Sequence, residues 1–333
     1  MANKRRIIFR ADGNSEIGLG HVIRSLALAE MLKEDFDCIF ATRFLTAYIQ
    51  TEASKVCNDI IKLPESEEHF EAFLSILTSD EIVVLDNYFF DTDYQRAIKN
   101  KGCKLVCIDD MHDKHFVADV VINHAPQVKP SDYSIEKHTV LCLGFKYVLL
   151  RSIFFNSLQT RETQSDIKTF FVCFGGSDSY NLTQQTLDVL LKYNYVVSVV
   201  IGDANRNRND LLLKYSKNHN VFLLYDLSAK EMSDVMQKSD MAIVPASSVL
   251  LEAMATKIPV ITGYFVDNQK DGCLYCVNHG LALYADMLHE YEKQLEKLIL
   301  TIDQSVCHKL LAAQDDVIKN PRPLYLEIFR KLI

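Results

Sequence analysis

The chain has 333 residues, 48% of them hydrophobic and 24% charged, which is ordinary globular composition with room for two domains. Its net charge of −8 argues against a broad nucleic-acid surface and requires that any bound anion be met by local donors such as backbone amides. No apolar run approaches the roughly 18–20 residues of a membrane span, and the N-terminal run is too short for a signal peptide.

The first half alternates β-rich runs with helical patterns. Strands are predicted at Arg6–Arg10, Cys38–Thr42, Ile82–Asp86, Lys104–Ile108, Val117–Ile122 and Thr139–Leu143, and helices at His21–Lys33, Glu67–Leu77 and Thr92–Asn100. Several strands are continuous apolar runs, as parallel strands covered on both faces should be. The polar stretch Arg161–Asp166 reads as a linker between domains 1–160 and 161–333. A second series follows. Its strands are Thr169–Phe174, Tyr195–Ile201, Val221–Tyr225, Met241–Val244 and Pro259–Phe265. Its helices are Asn181–Lys192, Asn209–Lys217, Ser228–Lys238, Ser247–Thr256 and Asn268–His279. Two amphipathic stretches, Leu288–Ile302 and Leu324–Leu332, close the chain, and the last helix is a candidate to return to the first domain.

Two successive βαβ series define an α/β fold of two Rossmann-like, doubly wound domains, expected to face each other across a cleft. The scattered cysteines read as small buried hydrophobes in a reducing compartment, so a cytoplasmic location is expected.

Five segments fall where such sheets carry ligands, beyond the carboxyl ends of strands. In the first, Phe9–Arg24, Gly18-x-Gly20 opens a helix at His21. Position 23, where the dinucleotide fingerprint needs a third glycine, is Ile23. A histidine at the mouth of a glycine turn suits a general base, or alternatively a phosphate hydrogen bond or a cap. The second, Gly175-Gly176-Ser177, precedes a helix and offers amides and a hydroxyl to a phosphate, with Ser179 as a possible cap. The third places Ser247 and Ser248 at a helix start, suited to a diphosphate or to capping alone, and Glu252 on that helix's first turns, either to accept from ribose hydroxyls or on a solvated face. The fourth, Val266–Lys270, offers Asn268 and Gln269. In the fifth, Asp86 and Tyr88 follow a buried strand, and Asp109, Asp110 and His112 end the next. That last group reads as a hydrogen-bond network rather than a metal site, because adjacent strand side chains point to opposite faces. His124, at another strand end, has no assigned role.

FRADGNSEIGLGHVIRSLALA, DNYFFD, IDDM, GFKYVLLR, FGGSD with NLT, ASSVLLEA and DNQ occur in this order between Phe9 and Gln269. Together they resemble the UDP-2,4-diacetamido-2,4,6-trideoxy-β-L-altropyranose hydrolases of pseudaminic acid biosynthesis. That family is similar to the two-domain inverting glycosyltransferases of GT-B type. The resemblance implies a UDP-sugar substrate, UDP on the C-terminal domain, His21 as base and no metal or cofactor. Asp12 and Tyr88, with Gln269, match positions near the sugar, and Gly18, Gly20 and Arg24 belong to the glycine–histidine motif. An inverting GT-B glycosyltransferase is the alternative. The family's DHYG-like segment reads Asp86-Asn-Tyr-Phe here, and Leu251 stands where some relatives carry a polar residue. Both departures bear on which sugar is accepted.

Overall fold

In the computed structural model, which describes residues 4–14, 17–156, 167–202 and 205–333, the apolar runs become parallel strands. The chain divides into two compact units. One is Met1–Ser152 with Asn320–Ile333, and the other is Ile153–Lys319. The division falls ahead of the boundary expected at 160/161, and the expected linker Arg161–Asp166 lies outside the described residues.

In the first unit the strands are β1 (Arg6–Ala11), β2 (Asp37–Thr42), β3 (Asp59–Lys62), β4 (Ile82–Asp86), β5 (Lys104–Ile108), β7 (Val120–Asn123) and β9 (Val140–Leu143). They form one parallel sheet in the order β3-β2-β1-β4-β5-β7-β9. Short β6 (His115–Phe116) and β8 (Ser134–Ile135) pair separately. The helices are α1 (Gly20–Leu32), α2 (Ala47–Ser54), α3 (His69–Ile76) and α4 (Thr92–Asn100). Alternation along β1 explains its unbroken hydrophobicity. Ile7 and Phe9 enter one core with residues of α1, while Ile8 enters the other with Phe73 and Ile98 of α3 and α4. Each such buried side chain contributes roughly 1.5–3 kcal/mol.

The second unit holds β10 (Thr169–Val172), β11 (Val196–Ile201), β12 (Val221–Tyr225), β13 (Met241–Pro245), β14 (Val260–Gly263) and β15 (Leu283–Tyr284). All pairings are parallel, in the order β12-β11-β10-β13-β14-β15. Its helices are α5 (Leu182–Leu190), α6 (Arg208–Tyr215), α7 (Ala229–Lys238), α8 (Ser248–Ala255), α9 (Lys270–Asn278), α10 (Tyr291–Thr301) and α11 (Gln304–Val317). The last helix, α12 (Arg322–Arg330), belongs to the first unit. It buries Tyr325 and Phe329 there, the latter with its ring 6.1 Å from that of Phe36. Arg330 and Arg322 fix α12 to Asp35 at 2.6 and 3.4 Å.

In both sheets the strand order reverses between the first strand and the fourth, β1/β4 in one unit and β10/β13 in the other. Ligands of doubly wound sheets bind at such switch points, beyond the carboxyl ends. All nine cysteines are free and buried. Cys273 and Cys276 have CxxC spacing on α9, but burial pushes their thiols up to about 11 and about 12, so neither is a reactive thiolate. No helix among the described residues is long and apolar enough to cross a membrane.

Candidate active site and ligand loops

In the first unit, register builds the site. Ala11 pairs with Asp86 across β1 and β4, so the Asp86 carboxylate lies beside the chain leaving β1. That chain turns through Gly18, whose φ of +82° favours glycine, and enters α1 at Gly20. A Cβ on Gly20 would meet nothing within 4 Å, so the fold itself does not demand glycine there, and the space in front of the helix start is open.

His21 then sits in the first turn of α1 with Nδ1 2.7 Å from Asp86 Oδ1. Burial would raise the Asp86 carboxyl, but Arg24 and His21 outweigh it and hold the group below the usual carboxylate range. Arg24 Nη2, which only donates, also lies 3.1 Å from Nδ1, but the ionised carboxylate is nearer and only accepts, which favours the proton on Nδ1. The other ring nitrogen, Nε2, is left with its lone pair, and it has no hydrogen-bond partner among the described residues. This is the orientation of a general base backed by a carboxylate.

Arg24, one helical turn on, donates Nε and Nη2 to the two oxygens of Asp86 at 2.7 and 2.6 Å. Its Nη1 reaches Asp110 Oδ2 at 2.8 Å. These two carboxylates hold the guanidinium in its charged form against the opposing pull of burial. Arg24 was expected to face substrate. Its donors go instead to Asp86 and Asp110, and its place is behind His21. Tyr88 is 54% exposed, meets the His21 ring edge-on at 4.7 Å, and donates to Asp110 at 3.3 Å. Burial and then Asp110 raise its phenol. His124, at the end of β7, is pushed down to about 4 by burial and by Arg24, and is therefore neutral. Asp109 accepts from His112 N and Tyr133 Oη, both at 2.8 Å, which pins the start of the loop after β5.

Asp12 is 0% exposed, and its position differs from that expected of a sugar contact. Its oxygens take Arg10 Nη1 and Nη2 at 2.6 and 2.9 Å, Arg43 N and Nε at 2.7 Å, and Thr42 Oγ1 at 3.1 Å. Burial would raise this carboxyl, but the two guanidinium groups hold it below the ordinary range. Its backbone N–H donates to Asn87 Oδ1 at 2.7 Å, tying the β1 loop to the β4 loop. Burial, then Arg10 and Arg43, push the neighbouring His69 down to about 4.

In the second unit, three loops follow β10, β13 and β14. Gly175 has φ +77°, and Gly176 has open space where a Cβ would go. The turn rests on Gly202, where a Cβ would lie 2.5 Å from Gly176 Cα. Ser177 is exposed. Ser179, the alternative reading's cap, does not cap α5. Asp178 does, accepting from Leu182 N at 2.8 Å and Thr183 N at 3.0 Å, because its left-handed backbone turns the carboxylate under the helix start. Ser247 is the N-cap residue of α8, yet its hydroxyl makes no capping bond, and Ser248 is exposed. The helix-start amides and both hydroxyls thus remain for an anion. Glu252 is buried on α8, near enough to the end of β10 to act with Asp178 on the Cys173 thiol. Gln269 accepts from Phe265 N at 3.2 Å, and Asn268 beside it is exposed. Tyr180 and Phe265, with ring centroids 5.8 Å apart, join the first and third loops.

Sequence reading missed Asp86 as the partner of His21 and Asp110 as the partner of Arg24. Their signal was an acid ending each of two neighbouring strands.

The two switch-point sheets have the GT-B fold. The chain superposes on the crystal structure of Acinetobacter baumannii MurG with a TM-score of 0.68 at 12% identity, covering 98% of this chain and 99% of that one. A family model described as glycosyl transferases group 1 matches residues 178–272. In sequence, the chain is similar to a Campylobacter jejuni UDP-2,4-diacetamido-2,4,6-trideoxy-β-L-altropyranose hydrolase. The two are 28% identical over 281 residues, which is 83% of this chain and 97% of the relative. It is also 26% identical over 285 residues to the Bacillus subtilis spore coat polysaccharide biosynthesis protein SpsG, covering 82% of this chain and 81% of that protein.

Proposed function

We propose that the chain hydrolyses a UDP-linked 2,4-diacetamido-2,4,6-trideoxy sugar, releasing UDP and the free sugar for nonulosonic (pseudaminic) acid synthesis. The single observation that carries this reading is the His21–Asp86 contact of 2.7 Å at the carboxyl edge of the sheet, an arrangement that suits Nε2 to accept a proton. The named activity of the Campylobacter relative supplies the substrate class.

In this mechanism His21 Nε2 takes a proton from water as the oxygen attacks the anomeric carbon. The bond from that carbon to the diphosphate oxygen breaks, its electron pair leaves with UDP, and configuration inverts. Asp86 stabilises the imidazolium that forms. The helix-start amides of α8, the amide of Gly176 and the hydroxyls of Ser177, Ser247 and Ser248 receive the charge that develops on the diphosphate. Glu252 takes the ribose hydroxyls. Asn268 and the amide nitrogen of Gln269 donate to the sugar or diphosphate, and Tyr88 faces the sugar beside His21. Asp12 shapes the loop rather than touching the substrate. The chemistry needs no cofactor.

The group 1 match and the MurG likeness favour one second reading, a transferase that puts an acceptor hydroxyl in place of water. The test is incubation of purified protein with a panel of UDP-sugars and no acceptor, following UDP by ³¹P NMR. Stoichiometric UDP and free sugar are expected. Absence of turnover until an acceptor is added rejects hydrolysis. His21→Ala should lower kcat about 10²-fold or more while UDP still binds, and unchanged turnover rejects the base assignment.

A further inference from the structure

The geometry points to Asp110 as a positioning residue for His21, acting on the base from two sides through a single oxygen. Asp110 follows β5, a strand that contributes nothing else to the imidazole. Its Oδ2 accepts Arg24 Nη1 at 2.8 Å and Tyr88 Oη at 3.3 Å. Arg24 turns Nε and Nη2 to Asp86, which holds His21 Nδ1, and Nη2 also lies 3.1 Å from Nδ1 itself. Tyr88 returns to the same imidazole with its ring, edge-on at 4.7 Å. The contacts therefore close a circuit, His21–Asp86–Arg24–Asp110–Tyr88–His21. Lys114 Nζ reinforces the second arm by donating to the Tyr88 carbonyl at 2.9 Å from the same loop.

Charge supports the assignment. The imidazole meets Asp86 from β4, Arg24 from α1 and Tyr88 from the loop after β4; behind them Ser25 donates to Asp86, Asp110 from beyond β5 takes Arg24, and a neutral His124 just after β7 acts on Arg24 and both carboxylates. Two carboxylates face one guanidinium. Without Asp110, Arg24 answers to Asp86 alone, and Asp86 is drawn toward the guanidinium and away from Nδ1. The Asp110 side chain is 35% exposed, whereas that of Asp86 is 0% exposed. Its removal leaves no buried charge unpaired, so the variant should fold.

This inference rests on His21 being the base, and the test separates the two. Asp110→Ala and Asp110→Asn are compared with the parent and His21→Ala, using kcat, KM and pH profiles with a UDP-sugar, and ¹⁵N spectra of the His21 imidazole. Asp110→Ala should lower kcat about 10–100-fold, as small misplacements of catalytic groups do, with KM little changed. The acidic limb of its kcat/KM profile should move to lower pH, because the field at His21 becomes more positive. Its imidazole spectrum should show the Nδ1-protonated tautomer giving way to a mixture. Asp110→Asn keeps an acceptor for Arg24 and Tyr88 but not the charge, so it should recover most of kcat and retain the displaced limb. Parental pH profile and ¹⁵N shifts in Asp110→Ala overturn the inference, even if activity falls. If His21→Ala turns over normally, the base reading fails, and the ¹⁵N comparison still decides whether Asp110 orders the ring.

Discussion

Replacing Asp12 by alanine separates a structural carboxylate from a sugar contact. The carboxylate is enclosed, and it is the partner of Arg10, a side chain with 0% exposure, through bonds of 2.6 and 2.9 Å. The Arg10 guanidinium also lies 5.4 and 5.9 Å from the ring centroids of Phe90 and Phe89, which cannot replace a counter-ion. Removing one partner of a buried pair costs about 3–5 kcal/mol, because the remaining charge stays buried. For a unit of about 170 residues, each kcal/mol moves the melting temperature by about 2–4 °C. Asp12→Ala should therefore lower the Tm of the first unit's transition by about 6–20 °C in differential scanning calorimetry. Asp12→Asn, which preserves some hydrogen bonding, should fall between. If Asp12 instead touches the sugar, KM rises while Tm stays within about 2 °C of the parent, and that result refutes the buried-pair argument.

Asp86→Asn should cut kcat/KM about 10³–10⁴-fold at neutral pH, since the amide can donate to Nδ1 and stabilise the wrong tautomer; loss below tenfold rejects the dyad. Gly202→Ala forces a Cβ to within 2.5 Å of Gly176 Cα, an overpacking cost of about 1–3 kcal/mol. By calorimetric titration UDP should bind about 5–160-fold more weakly, and unchanged affinity removes the Gly175–Gly176 turn from the proposed diphosphate site. Asp12 and Asp86 have folded-state carboxyls below the ordinary range. Their stabilisation is complete above the unfolded value of about 3.9 and is lost as pH falls through the lower folded values. Acid unfolding should steepen below about pH 4, and Asp12→Asn should flatten that slope in urea titrations at successive pH values.

The sequence makes the central strands plain because each is apolar on both faces, as Ile7, Ile8 and Phe9 are. It hides β3 (Asp59–Lys62), an edge strand of four half-exposed or exposed residues, and the two-residue β15. The eight-residue α2, with only Ile49 and Ala53 buried, also gives too weak a period to read. Local chemistry is legible in the same way. Gly18, Gly20 and His21 are neighbours in the chain, so their turn can be read directly. The partners of His21 cannot, because Asp86 arrives 65 residues later through the β1–β4 register. Arg24 and Asp12 look like substrate ligands for the same reason. Arg10 stands only two residues from Asp12, but nothing local reveals that Asp86, Asp110 and Arg43 already occupy these side chains. Asp178 displaces Ser179 as a cap through a left-handed backbone that composition does not signal.

The two units use one topology for opposite electrostatic tasks. In the first, the segments after β1, β4 and β5 deliver His21, Arg24, Asp86 and Asp110, charges that answer one another around a single imidazole. A base placed among uncompensated charges would be protonated or reoriented by them. In the second, the loops after β10 and β13 deliver glycines, serines and helix-start amides, with no Lys or Arg between Phe174 and Asn181 or between Pro245 and Met254. Such donors attract a diphosphate without a cation, which suits a protein of net charge −8. They also hold no counter-ion that the ligand must displace. If UDP is the product, as proposed, a cradle of amides and hydroxyls with no lysine to hold the leaving group favours its release.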